Sequence, residues 1–140
     1  MSSIPPALID TYRNAVYRVQ APKEVVTFYI DKPSPELAEL HREMDIQSSA
    51  FLTAYHPYSK PVSDEENEKA QQALMEELRS RGYRWLEGIG EDADGDWPGE
   101  RSLLILGITQ DEATALAARF KQNGYVYCGS DALPQLVLTR

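Results

Sequence analysis

The chain has 140 residues, of which 42% are hydrophobic and 26% charged, and its formal net charge is -8. This composition predicts a globular protein with a real core, and an acidic chain without a lysine or arginine cluster argues against nucleic acid or an anionic membrane as a partner. The single cysteine, Cys128, excludes an intramolecular disulfide, and no apolar run has the length of a membrane span, so we expect a cytoplasmic protein.

The first 47 residues predict an α/β extension. Pro5 and Pro6 suit the first turn of a helix, and residues 17–30 have the pattern of a β-hairpin. Ser34 can cap a second helix that begins at Pro35. One face of that helix is expected to be buried, with a boundary-core histidine rather than a metal ligand at position 41; it carries Leu37, Leu40, His41 and Met44.

Residues 48–140 predict the order strand, helix, strand, strand, helix, strand. The two helices are expected near 64–81 and 110–122, because each follows a capping box and precedes a glycine that can end a helix. Phe120 closes the apolar stripe of the second helix and is expected to be buried against the sheet. The strands are expected at 50–55, 83–87, 103–106 and 125–128, with a closing strand at 136–138.

This order is typical of an α+β protein with a ferredoxin-like split β-α-β core (βαββαβ). Both helices should pack on one face of a four- or five-stranded sheet, with strand 103–106 in the centre because it is apolar on both faces. Such a core leaves one sheet face open. We therefore expect the extension, 1–47, to pack on that face, or to extend the sheet and supply a helix. No linker is visible, so residues 1–140 are predicted to form one domain, with the core at 48–140.

A loop rich in glycine and aspartate is expected at 88–98. Asp94 and Asp96 could supply oxygen ligands to a hard cation, but Trp97 stands where an EF-hand needs glycine, so an EF-hand is excluded. A weaker cation site and a solvated acidic turn remain as alternatives. Trp97 could fold back as a plug or serve as a binding anchor. No helix follows the glycines at 88–90, which argues against a phosphate-binding loop. We expect no cofactor site and no metal site.

His56 is a second candidate, because it follows a predicted buried strand. It could act as a general base beside Tyr58 or Ser59, or it could be a loop residue whose ring is hydrogen-bonded locally. No serine elbow of the Gly-x-Ser-x-Gly type is present. The candidate binding residues are His56, Tyr58, Ser59, Asn67, Asp94, Asp96, Trp97 and Gln122.

Six segments and Ser102 together resemble a known family. The segments are 51–59 (FLTAYHPYS), 63–67 (SDEEN), 81–83 (RGY), 94–98 (DGDWP), 106–108 (LGI) and 120–123 (FKQN). The combination resembles domain-of-unknown-function family 3293, a set of short bacterial proteins, over roughly residues 48–138. The family usually has Asn at the position of His56 and Gly at that of Lys121. The resemblance implies a bacterial cytosolic origin and supplies no activity.

Three functions follow as hypotheses. The favoured one is a small binding or interaction domain whose partner is an unknown small molecule or protein. The second is a small enzyme acting on a polar or cationic substrate in a cleft between loops 56–60 and 88–100. The third is an accessory subunit that assembles through a sheet edge. An exposed apolar patch without a pocket would favour the third. Convergence of five polar side chains on one pocket would favour the enzyme; these are His56, Ser59, Asn67, Asp96 and Gln122.

Overall fold

The computed structural model describes residues 4–93 and 99–140. The helices are α1 (Pro6–Asn14), α2 (Pro35–Glu43), α3 (Asp64–Ser80) and α4 (Gln110–Arg119), with a short 3-10 helix at Pro57–Ser59. The strands are β1 (Val16–Gln20), β2 (Val25–Phe28), β3 (Ser49–Leu52), β4 (Arg84–Glu91), β5 (Glu100–Leu106), β6 (Gly124–Cys128) and β7 (Gln135–Leu138). They form a seven-stranded sheet in the order β2-β1-β4-β5-β3-β6-β7, and each neighbouring pair is antiparallel. The α+β class predicted from the sequence is confirmed.

The two long helices begin where the capping boxes predict. The Ser63 side chain accepts a hydrogen bond from the Glu66 backbone N–H at 3.1 Å, and the Thr109 side chain accepts one from the Glu112 N–H at 3.2 Å. The last helix ends at Arg119, earlier than the predicted residue 122. Because Lys121 has a φ of +57°, the chain leaves the helical conformation before that point. Phe120 accordingly lies at the helix end and is only partly buried against the core, contrary to expectation.

Strand β5 is the central strand, as predicted, and it is covered on both faces. Leu103 and Ile105 pack in a core cluster with Leu74 of α3 and Leu116 of α4. Leu104, on the opposite face, packs in a second cluster with side chains of α2, β1 and β2. The expected sheet of four or five strands was too small, because the N-terminal hairpin and the last strand also join it.

The N-terminal segment both extends the sheet and supplies a helix to its second face. Strand β1 pairs with β4, and Tyr17 lies opposite Gly90. Helix α2 contributes Leu37 and Leu40 to the core of that face. His41 is buried on the same helix, with Nε2 2.8 Å from the Ser49 hydroxyl oxygen, and burial lowers its pKa. It is therefore the boundary-core histidine that the sequence predicts.

Residues 88–91 belong to strand β4, which corrects the predicted start of the acidic loop. Gly88 lies under the aromatic ring of Phe51, and a Cβ there would stand 2.7 Å from both Phe51 Cε2 and the Arg18 carbonyl oxygen. Glycine is therefore needed for close packing of the sheet rather than for a turn. In the described part of the chain, no helix is long and apolar enough to cross a membrane.

A candidate ligand cavity beside helix α1

A cavity of about 550 Å³ lies beside α1, next to the sheet face that carries Phe51. Its size is that of a small-molecule site. Side chains from α1, α3, the loop after β3 and six strands line it. The aromatic lining residues are Tyr12, Tyr17, Phe51, Tyr55 and Tyr125. The acidic ones are Asp64, Glu91, Asp92 and Glu100, and the amide and imidazole side chains are those of His56, Asn67, Gln122 and Asn123.

A packed aromatic group forms one wall of the cavity. The Tyr17 ring stacks on Phe28 with 5.4 Å between centroids, and Phe51 meets both rings edge-on at 5.3 Å and 5.6 Å. The Tyr17 hydroxyl donates a hydrogen bond to the Tyr12 carbonyl oxygen at 2.7 Å. Burial, and then the nearby Glu100, raise the pKa of Tyr17. The hydroxyl therefore stays protonated and ties β1 to α1.

The loop after β3 is held in an unusual backbone conformation. His56, Tyr58 and Ser59 have φ values of +47°, +55° and +60°. Such values cost non-glycine residues energy, and they persist only where neighbours enforce them. Here the Asn67 side-chain oxygen accepts from the His56 backbone N–H at 2.8 Å, and the Lys121 carbonyl oxygen accepts from the Tyr58 N–H at 2.6 Å.

His56 and Ser59 line the same cavity but have separate partners. The Val62 backbone N–H donates to His56 Nδ1 at 3.2 Å, so a neutral ring carries its proton on Nε2. The Ser59 hydroxyl oxygen lies 2.5 Å from the Tyr12 hydroxyl oxygen and accepts from Asn123 Nδ2 at 3.5 Å. Among the described residues, the side chains of His56 and Ser59 therefore make no hydrogen bond to each other, as a nucleophile and its base would require.

The amide side chains of the candidate list hold the walls of the cavity. Asn67 is 1% exposed and bonds the His56 backbone, and Gln122 Nε2 donates to the Tyr55 carbonyl oxygen at 3.0 Å. Tyr58, in contrast, is not a lining residue, and its ring lies 4.2 Å from Cζ of Arg140. Asp94, Asp96 and Trp97 lie outside the described residues. The proposed binding role of all eight residues stays a prediction.

Two polar residues of this region were not among the candidate binding residues predicted from the sequence. Gln71 is fully buried; its Oε1 accepts from the Ala54 N–H at 3.0 Å and its Nε2 donates to the Arg101 carbonyl oxygen at 3.3 Å. Its spacing from Leu74 and Leu78, on the buried stripe of α3, could have identified it.

Glu100 is the second of these residues and the most unusual titratable group of the cavity. It begins β5 and is half-buried, and burial raises its pKa to about 7. Side chains two positions apart on a strand lie on the same face, and Ser102 is buried. This spacing could have identified Glu100 as an inward-facing residue. Within residues 4–93 and 99–140, no group of three or more histidine, cysteine, aspartate or glutamate side chains is placed to hold a metal ion.

The comparisons with known proteins agree with the sequence analysis. A family model described as "Protein of unknown function (DUF3293)" matches residues 52–124, a little over half of the chain, which confirms the resemblance. No curated protein and no solved structure was found to match the chain. The matched segment runs from β3 to the start of β6 and includes His56, Asn67, Glu100 and Gln122.

Proposed function

We propose that this chain, which belongs to the DUF3293 family of proteins of unknown function, binds a small organic molecule in the cavity beside α1. The main observation that supports this proposal is the cavity itself. Its volume of about 550 Å³ and its mixture of aromatic rings with a few polar groups are those of ligand sites in general.

The arrangement of the polar groups favours binding over catalysis. His56, Ser59, Asn67 and Gln122 line one cavity, and most of their hydrogen bonds go to backbone groups. Asn67 Nδ2 also lies 3.4 Å from His56 Nδ1, and the Ser59 hydroxyl contacts the side chains of Tyr12 and Asn123. These bonds fix the shape of the wall. A preformed wall reduces the entropy lost when a ligand binds, which is what a binding site requires.

The hypothesis of an accessory subunit that assembles through a sheet edge has less support than the binding role. The large apolar side chains that are exposed in the described residues are Val25 and Tyr29, at 49% and 40% exposure. Two residues at the outer strand β2 make a small patch, and single exposed apolar residues are common on monomeric proteins.

We also propose that the core of this protein has a ferredoxin-like fold. Strands β4, β5, β3 and β6 lie side by side in that order, and each pair is antiparallel. Helices α3 and α4 pack on the same face. This strand order supports a split β-α-β core, to which the N-terminal hairpin and β7 would add outer strands.

We also place this domain in the bacterial cytosol. The single cysteine, Cys128, is buried, and burial raises the pKa of its thiol to about 12. A protonated, buried thiol suits a reducing compartment and does not react readily.

The proposal is tested by recording two-dimensional NMR spectra of the full chain with a general fragment library. We expect fragments to shift the signals of Tyr12, Phe51 and Gln122, which all line the cavity. Ala15→Phe places a ring at another lining position and should remove this binding. Ala118→Phe, on the exposed face of α4, is the matched control and should leave it unchanged. The proposal fails if no fragment shifts these signals, or if Ala15→Phe remains folded and binds as before.

A further inference from the structure

Glu100 faces the cavity from the start of the central strand. Side chains alternate along a strand, so Glu100 lies on the same face of β5 as Ser102 and Leu104. Both of those side chains are buried, at 3% and 1% exposure. Glu100 itself is half-buried and lines the cavity. Its carboxylate therefore borders the apolar core on one side and the cavity on the other.

The carboxylate of Glu100 has no basic partner among the described residues, unlike other carboxylates of the same region. Glu91 pairs with Arg18, and Glu68 pairs with Arg101 at 2.9 Å. Within residues 4–93 and 99–140, Glu100 makes no ion pair, and no lysine or arginine lines the cavity. A partly desolvated charge without a partner is unfavourable, and burial raises its pKa to about 7 accordingly.

The groups near Glu100 do not replace the missing partner. The Tyr17 hydroxyl is engaged with the Tyr12 carbonyl oxygen at 2.7 Å, and the other charged lining residues, Asp64, Glu91 and Asp92, are acidic. Rings of tyrosine and phenylalanine line the same cavity as the carboxylate. Because ring faces attract cations, a carboxylate next to an aromatic wall suits a positively charged organic group.

We propose that the ligand of this cavity is a small molecule with a protonated amine on an apolar or aromatic body, and that the amine binds the carboxylate of Glu100. This inference rests on the proposed function. An anion would be repelled by Glu100 and its acidic neighbours, and a neutral ligand would leave the carboxylate without a partner. A metal ion fits less well, because no group of three ligating side chains is placed for one in the described residues.

The test compares ligands that differ only in charge. Two sets of ligands, each an amine, an alcohol and a carboxylate on the same ring, are titrated into the full chain at pH 8 and followed by NMR. The first set is 2-phenylethylamine, 2-phenylethanol and 3-phenylpropionate. The second set is tryptamine, tryptophol and indole-3-propionate. We expect each amine to bind at least tenfold more tightly than its alcohol, and the carboxylates to bind most weakly. Glu100→Gln keeps the shape of the side chain and should remove the preference, so that each amine binds no more tightly than its alcohol. Glu36→Gln, exposed on α2, is the matched control.

The outcomes separate this inference from the proposed function. If library fragments bind in the cavity but neither amine is preferred over its alcohol, or the preference survives Glu100→Gln, the amine assignment is wrong and the binding role stands. Signals of the cavity that shift with calcium chloride alone, and not with the amines, would also overturn it. If no library fragment binds, both fail.

Discussion

The hydroxyl oxygens of Tyr12 and Ser59 lie 2.5 Å apart, although 47 positions separate them in the chain. Asn123 Nδ2 donates to the Tyr12 oxygen at 3.0 Å, so the same contact also reaches the start of β6. This contact joins α1 to the loop after β3, and both segments line the cavity. The N-terminal helix is therefore a wall of the candidate site rather than an appendage.

Removing this contact should weaken the docking of α1. In a double-mutant cycle, Tyr12→Phe and Ser59→Ala should show a coupling of about 0.5–1.5 kcal/mol in urea unfolding, the usual net value of one hydrogen bond. Tyr29→Phe is the control, because its side chain is exposed. Strictly additive effects of the two changes would show that the hydroxyl groups do not interact.

Gly88 should be required for sheet packing. Gly88→Ala places a methyl group 2.7 Å from both Phe51 Cε2 and the Arg18 carbonyl oxygen, so we expect a loss of about 1–3 kcal/mol in the free energy of unfolding. Gly129→Ala meets its nearest atoms at 3.9 Å and should change stability little. Equal urea midpoints for the two variants would contradict the close approach of Phe51.

Gln71 should be needed for its two buried hydrogen bonds. Gln71→Leu leaves the Ala54 N–H and the Arg101 carbonyl oxygen without this partner, which should cost about 1–3 kcal/mol. The neighbouring change Gln72→Leu lies on the exposed face of α3 and serves as the control. The measurement is thermal unfolding by circular dichroism, and a Gln71→Leu midpoint no lower than that of the control would reject the prediction.

Lys121 should be a strained position that glycine relieves. Its φ of +57° lies in the left-handed region, which is unfavourable for a residue with a side chain. Lys121→Gly should therefore raise the free energy of unfolding by about 0.5–1 kcal/mol. Lys60 has a φ of -92°, so Lys60→Gly should instead be neutral or slightly destabilising. A stabilisation of similar size in both variants would point to charge rather than strain.

The pH dependence of stability should report on Glu100. Burial raises its pKa from 4.5 to about 7 in the folded chain, so between these values the unfolded state loses the proton first. The contribution of Glu100 to stability is thus retained at low pH and lost as pH rises from about 4.5 to 7. Glu100→Gln removes this titration, while Tyr12, Tyr17, Glu91 and Asp92 around it are unchanged.

The stability of Glu100→Gln relative to the wild type should increase between pH 4 and pH 8. The increase should be at most about 3 kcal/mol, since the side chain is partly solvated. Urea unfolding of both proteins across this range measures the difference. A difference that does not vary with pH would show that Glu100 titrates normally.

Local patterns in the sequence were sufficient to locate the starts of the two long helices and the central strand. The Ser63 and Thr109 caps act within three residues, and the apolar run at 103–106 reflects burial on both faces wherever its neighbours come from. Such signals depend on short-range sterics, hydrogen bonding and hydrophobic periodicity, so one sequence carries them.

Long-range pairing decided what the sequence left open. The extension of β4 to Glu91 requires β1 as a partner, and the closeness of Tyr12 to Ser59 requires the whole sheet between them. Glu100 in isolation resembles any surface carboxylate. Its raised pKa and its place at the cavity arise only because folding brings α1, β1 and β5 together and removes water from between them.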